Sequence, residues 1–93
     1  MYVHIGGECS VPVRFLVGVF DLDAATMGTG ATREFLTRAE REGRLDVLSV
    51  DIPRTVVVTL DRVYLTPVAS ATIRRRLQAH PALIGADDEE RER

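Results

Sequence analysis

Residues 51–67 read Asp51-Ile52-Pro53-Arg54-Thr55-Val56-Val57-Val58-Thr59-Leu60-Asp61-Arg62-Val63-Tyr64-Leu65-Thr66-Pro67. Two runs rich in β-branched residues flank a tight Leu60-Asp61-Arg62 turn, which predicts a hairpin of strands over 54–60 and 62–66. Pro53 and Arg54 fix the loop that enters the first of these strands.

Outward from the hairpin, residues 45–50 read as a strand ahead of the Asp51-Ile52-Pro53 loop. Ser70 is placed to cap a helix running to about residue 79, with Ile73 and Leu77 as its apolar seam and Arg74, Arg75 and Arg76 beside it. Pro81 prevents its simple continuation. Nearer the start, residues 2–5 form a short strand turned by Gly6-Gly7. Residues 11–22 carry enough Val, Phe and Leu for a second, long one. Pro12 sits at its start, so its regular part is expected from about residue 13. Residues 24–30 form a loop of small residues whose Gly28-Thr29-Gly30 lacks the spacing and ending of a phosphate-binding loop.

A helix is expected over 31–42, with Ala31, Phe35, Leu36 and Ala39 on one face, Thr29 or Gly30 as N-cap and Gly43 as its stop. Glu34 with Arg38 and Arg38 with Glu42 have i,i+4 spacing, which predicts pairing along the helix surface. The sum is an α+β domain of about five mostly antiparallel strands and two helices.

The chain has 93 residues, which allows one domain, here 1–80, followed by a charged tail over 81–93 expected to be disordered. A domain of this size buries only about 60% of its unfolded surface, so a partner subunit is the prior expectation. The strands over 2–5 and 55–60 are apolar and carry no lysine. If either is an edge strand, it lacks the usual protection against pairing with another chain. Edge-to-edge assembly into a dimer or ring would solve this.

The formal charge of −2 divides unevenly along the chain. Residues 87–93 hold five acids and two arginines, whereas residues 1–86 hold ten arginines against nine acids. A body so close to neutral is not a strong non-specific polyanion binder by itself. Every basic residue is arginine, whose planar fork suits bidentate contacts to phosphate or carboxylate.

The lone Cys9 excludes an internal disulfide and reads as a small apolar residue near a strand. No apolar run approaches a membrane span and no signal segment opens the chain, so a cytoplasmic protein without a membrane partner is expected. Nothing in the sequence nominates a catalytic centre, a metal site, a cofactor or a small-molecule substrate. His4 and His80 have no Cys or acidic ligand at metal spacing, and His80 beside Pro81 reads as a helix-end residue. Asp21 and Asp23 read as a polar strand end, and Ser10 and Ser70 lack a histidine nearby in sequence. A protein that is not an enzyme is the expectation.

Three isolated arginines, Arg14, Arg54 and Arg62, stand at loop or strand ends from which they could project. One copy making one or two phosphate contacts contributes a salt-dependence slope of only about one to two, so useful DNA affinity requires many copies on one surface.

Several segments carry a family resemblance in order and spacing. They are Met1 to Gly7, the 15–21 strand ending in Val-Phe-Asp, Thr32-Arg33-Glu34-Phe35-Leu36, Asp51-Ile52-Pro53, and Arg62-Val63-Tyr64-Leu65-Thr66-Pro67 followed by Ser70-Ala71-Thr72-Ile73. Together, over about residues 1–78, the chain resembles the bacterial RemA/RemB extracellular-matrix regulators, most closely the RemB branch. The resemblance implies a cytoplasmic regulator of biofilm-matrix genes that forms homo-oligomers. RemA-type members assemble into rings that bind double-stranded DNA through arginines on the rim. It places the strand-leading arginine of the DNA-binding branch on Arg14 and the arginine before the Val-Val-Val strand on Arg54. That branch has a paired-arginine loop where this chain has Asp51-Ile52-Pro53, and an acid there repels phosphate. The expectation is therefore an oligomeric DNA-binding regulator using Arg14, Arg54 and Arg62. The alternative is an oligomeric protein-binding scaffold of the same fold without direct DNA binding.

Overall fold

The computed structural model describes residues 1–22 and 30–79. Among these, six strands and two helices run in the order β1 (Tyr2–Gly6), β2 (Cys9–Pro12), β3 (Leu16–Asp21), α1 (Gly30–Arg41), β4 (Leu45–Val47), β5 (Thr55–Thr59), β6 (Val63–Thr66) and α2 (Ser70–Gln78). β1 and β2 form an antiparallel hairpin. The other four strands form a sheet ordered β3-β5-β6-β4.

The hairpin read from residues 51–67 stands at the centre of this sheet, with Val57 opposite both Val19 and Tyr64. Successive side chains of a strand point to opposite faces, so the Thr55-Val56-Val57-Val58-Thr59 run serves two cores at once. Val57 meets Val3, Ile5, Val11 and Ile73 on the face covered by the β1–β2 hairpin and α2. Val56 and Val58 meet Val63, Leu45, Leu36 and Ala39 on the face covered by α1. Full burial of one such side chain stabilises by about 1.5–3 kcal/mol, which makes β5 the strand on which both layers depend.

Both helix ends follow from local chemistry. Gly43 adopts φ +75°, the left-handed region that ends a helix cheaply only at glycine. Its N–H bonds the Glu40 carbonyl and the Arg44 N–H bonds the Ala39 carbonyl, both patterns of a Schellman stop. At the start of α2 the cap is Ala69, not Ser70: the Ala69 carbonyl accepts from Thr72 and Ile73. Ser70 is the first helical residue, and its hydroxyl turns instead to the Asp21 carboxylate.

Several other expectations need correction. The single long strand expected over 11–22 is two strands, separated by a 3-10 turn at Val13–Phe15. Pro12 therefore ends β2, where its fixed φ of −61° and missing N–H break the ladder, and does not open a long strand. The strand over 45–50 stops at Val47, and it pairs parallel with β6. β5 is an interior strand, so the edge argument does not apply to it; the edges of the four-stranded sheet are β3 and β4, and β1, paired only with β2 in the two-stranded sheet, is an edge strand. Among the described residues Glu34 and Arg38 form no ion pair, and Glu42 binds Arg44 at 2.9 Å in place of Arg38. The loop and cap read at 24–29, Asp23, His80, and the tail all lie outside the described residues.

Candidate nucleic-acid interface

The antiparallel β3–β5 ladder fixes where the predicted arginines stand. At one end the Phe15 carbonyl accepts from the Leu60 N–H at 2.9 Å. At the other, the Arg54 carbonyl accepts from the Leu22 N–H at 2.8 Å. Arg14, one residue before Phe15, and Arg54 are thus at opposite ends of one ladder. Six strand steps between Arg54 and Leu60 span about 20 Å. Arg62 follows the Leu60-Asp61 turn and shares the Arg14 end, where Thr59 donates its N–H to the Arg62 carbonyl.

The three arginines differ in what they hold. Arg14 is exposed and lies over the ring of Phe15, 5.4 Å from its centroid, which steadies the guanidinium without neutralising it. Arg54 is fixed through its backbone, its N–H donating to the Thr66 carbonyl at 2.9 Å. Its exposed side chain has no hydrogen-bond or ion-pair partner among the described residues. Arg62 is engaged within the chain. Its fork donates to Asp46 from Nε at 2.6 Å and from Nη2 at 2.9 Å, and Nη2 also reaches the Gly43 carbonyl. The bond from Arg62 holds the Asp46 carboxyl below the usual aspartate range and raises the guanidinium in turn. Arg62 thus ties the hairpin turn to β4, with the Nε and Nη2 edge of its fork occupied by Asp46 and Gly43.

The Arg74-Arg75-Arg76 cluster divides in the same way. Arg74 donates to Ser70 Oγ at 3.1 Å and to the Val19 carbonyl at 3.2 Å, and Arg76 donates to the His4 carbonyl at 2.9 Å. These two arginines dock α2 onto β3 and β1. Arg75 makes only a 3.5 Å contact to Thr72.

The loop before Arg54 has its own order. Ser49 Oγ accepts from the Asp51 N–H at 3.1 Å and donates to Asp51 Oδ2 at 3.3 Å, a local turn built by the acid. That turn leaves Val50 fully exposed and Ile52 85% exposed. Sequence reading missed both, because exposure of an apolar loop residue has no signature in composition. It also missed Asp46, whose partner is 16 residues away. Its signal was an acid between Leu45 and Val47 on a strand, which called for a cation across the sheet.

Over 79 residues the chain is 34% identical to extracellular matrix regulatory protein B of Bacillus subtilis (strain 168), covering 84% of this chain and 91% of that protein. It belongs to the RemA/RemB family of extracellular-matrix regulatory proteins. No family model matches the chain. In this RemA/RemB member, the described residues contain no cluster of three His, Cys, Asp or Glu side chains able to hold a metal ion. They contain no helix long and apolar enough to cross a membrane. Cys9 is half-buried, and burial pushes its thiol pKa up. Tyr64 is raised as well, again mainly by burial.

Proposed function

We propose that the protein is a cytoplasmic regulator of extracellular-matrix genes that works as a homo-oligomer, a ring in the family's manner, and binds duplex DNA through Arg14 and Arg54. The observation that carries this reading is a division among the arginines. Arg62, Arg74 and Arg76 are engaged by intrachain partners, whereas Arg14 and Arg54, like Arg33, Arg38 and Arg41 on α1, present exposed guanidinium groups with no ionic partner among the described residues; of these, Arg14 and Arg54 are the two that stand at the ends of the β3–β5 ladder. Their relative being named an extracellular matrix regulatory protein supports the role. Arg62 contributes by holding the hairpin turn and not by touching phosphate.

Two contacts per copy give a salt slope of only about two, so affinity depends on copy number. Titration of labelled duplex at low and moderate salt tests the reading. Binding by the wild type at low salt that is weakened in Arg14→Ala and Arg54→Ala is the expected result, and no low-salt binding by the assembled protein would sink it.

A second reading is favoured by one specific observation. Asp51 places a carboxylate three residues before Arg54, between two exposed apolar side chains. That combination suits a protein partner better than a phosphate backbone. Partner capture that survives the double change Arg14→Ala with Arg54→Ala, in a protein that never binds duplex, would favour this scaffold.

A further inference from the structure

The edge strand β3 has an open side. Among the described residues its one partner strand is β5. The Leu22 N–H donates to the Arg54 carbonyl across that ladder, and the alternation of an antiparallel pair then turns the Val19 and Asp21 N–H groups away from β5. The Val19 carbonyl faces the same way, and Arg74 reaches it at 3.2 Å. Beside this edge, Val17 is 60% and Phe20 55% exposed in a groove of about 670 Å³ between β3 and α1. Free backbone groups next to open apolar side chains are a template for one more strand.

α2 delivers the chain to that edge. Ser70, its first residue, donates to Asp21, and Arg74, about 6 Å further along the helix, donates to the carbonyl of Val19, about 6.6 Å back along the strand. The helix therefore runs back along β3, and about 12 Å of it ends level with the first residues of that strand. Residues 80–93 start from this point, with Pro81 preventing a longer helix.

We propose that Ala82-Leu83-Ile84-Gly85-Ala86 lies on the outer edge of β3 as a parallel strand of the same chain. Topology selects this segment. β3, β6 and β4 all run one way, because β3 and β6 are both antiparallel to β5 and β4 is parallel to β6. The crossover from β3 to β4 carries α1 on the Val56 and Val58 face. The crossover from β6 to the added strand carries α2 on the Val57 face and moves across the sheet in the opposite direction. Reversing direction and face together preserves the hand, so both crossovers satisfy the right-handed rule as one. Reach also fits, since the three steps from Ala79 to Ala82 span about 10 Å. Leu83 and Ile84 face opposite sides of the sheet, so one covers Val17 and Phe20 while the other packs on the side of α2. The Val19 carbonyl has a second lone pair for the added strand beside Arg74.

One consequence rests on the DNA reading, whereas the strand itself does not. Running with β3, the segment carries residues 87–93 past Asp21, whose carboxylate Ser70 holds, to the end where Arg54 meets Leu22. The five acids and two arginines of that stretch then compete with phosphate for the exposed Arg54.

The test is amide exchange by NMR on the full chain and on the full chain carrying Leu83→Asn with Ile84→Asn, changes that remove the apolar contacts without adding charge. The Val19 and Asp21 N–H groups should exchange at least about tenfold faster in the variant, while the amide of Val57 in the central strand keeps its protection and reports an intact fold. The protection in the wild type should not depend on protein concentration. Equal exchange at Val19 and Asp21 in the two chains would overturn the proposal, and so would protection that rises with concentration, which assigns the edge to a second copy. Duplex titration of the same pair should show severalfold tighter low-salt binding by the variant. Unchanged affinity beside accelerated exchange would refute the competition at Arg54, and binding by neither chain would refute the DNA reading; both results leave the strand standing.

Discussion

Arg14 and Arg54 stand at opposite ends of the β3–β5 ladder, and so no single chain converges them on one phosphate. Sites more than about 7–10 Å apart with no shared partner act additively. The losses of DNA affinity in Arg14→Ala and Arg54→Ala should therefore sum in the double variant. Each loss should lower the salt slope by roughly 0.9 for every phosphate contact removed. Duplex titrations across a salt series check both numbers.

Arg62 should behave differently. Arg62→Ala is expected to lower thermal stability by a few degrees while leaving the salt slope of DNA binding unchanged, because its fork is engaged by Asp46. Differential scanning fluorimetry beside the same titration separates the two effects.

The Asp46 carboxyl is lowered by the bond from Arg62, so the sign of its pH dependence is fixed. Its stabilisation is fully present above the unfolded aspartate value of about 3.9 and is lost as pH falls through the lower folded value. Asp46→Asn should be less stable than wild type near neutral pH, and the gap should close below about pH 4. Both side chains are more than a third exposed, so added salt should shrink the same gap. Melting curves over pH 3 to 7 at two salt concentrations measure it.

Cys9 should be slow to react. Burial raises its thiol pKa, so at neutral pH less thiolate is present than in an unstructured peptide. Alkylation timed by mass spectrometry should run several-fold slower in the folded protein than in the same chain unfolded in denaturant.

The core makes its own prediction. Ile73 is fully buried where α2 meets the β1–β2 hairpin and β5. Ile73→Ala should cost about 2–5 kcal/mol by denaturant unfolding, enough to unfold much of a domain this small.

The central hairpin was legible because Thr55-Val56-Val57-Val58-Thr59 has no helical period and its turn is only Leu60-Asp61-Arg62 long. Gly43 announced the end of α1 for an equally local reason, its tolerance of positive φ. What sequence could not show was long-range. The break at Val13–Phe15 looked like continuous strand because its residues are as β-prone as their neighbours, and only the turn from the β1–β2 hairpin into the main sheet requires it. Arg62 resembled Arg14 and Arg54 until β4, parallel to β6, brought Asp46 beside it. The Arg38–Glu42 pair failed because Glu42 sits at the Schellman stop, within reach of Arg44.

The salt dependence of duplex binding by the wild-type assembly tests the central claim most directly. An assembly that lays several copies of Arg14 and Arg54 on one duplex should give a slope of log affinity against log salt clearly steeper than about two, the limit for one copy. A slope of two or less, or no binding at low salt, would contradict it.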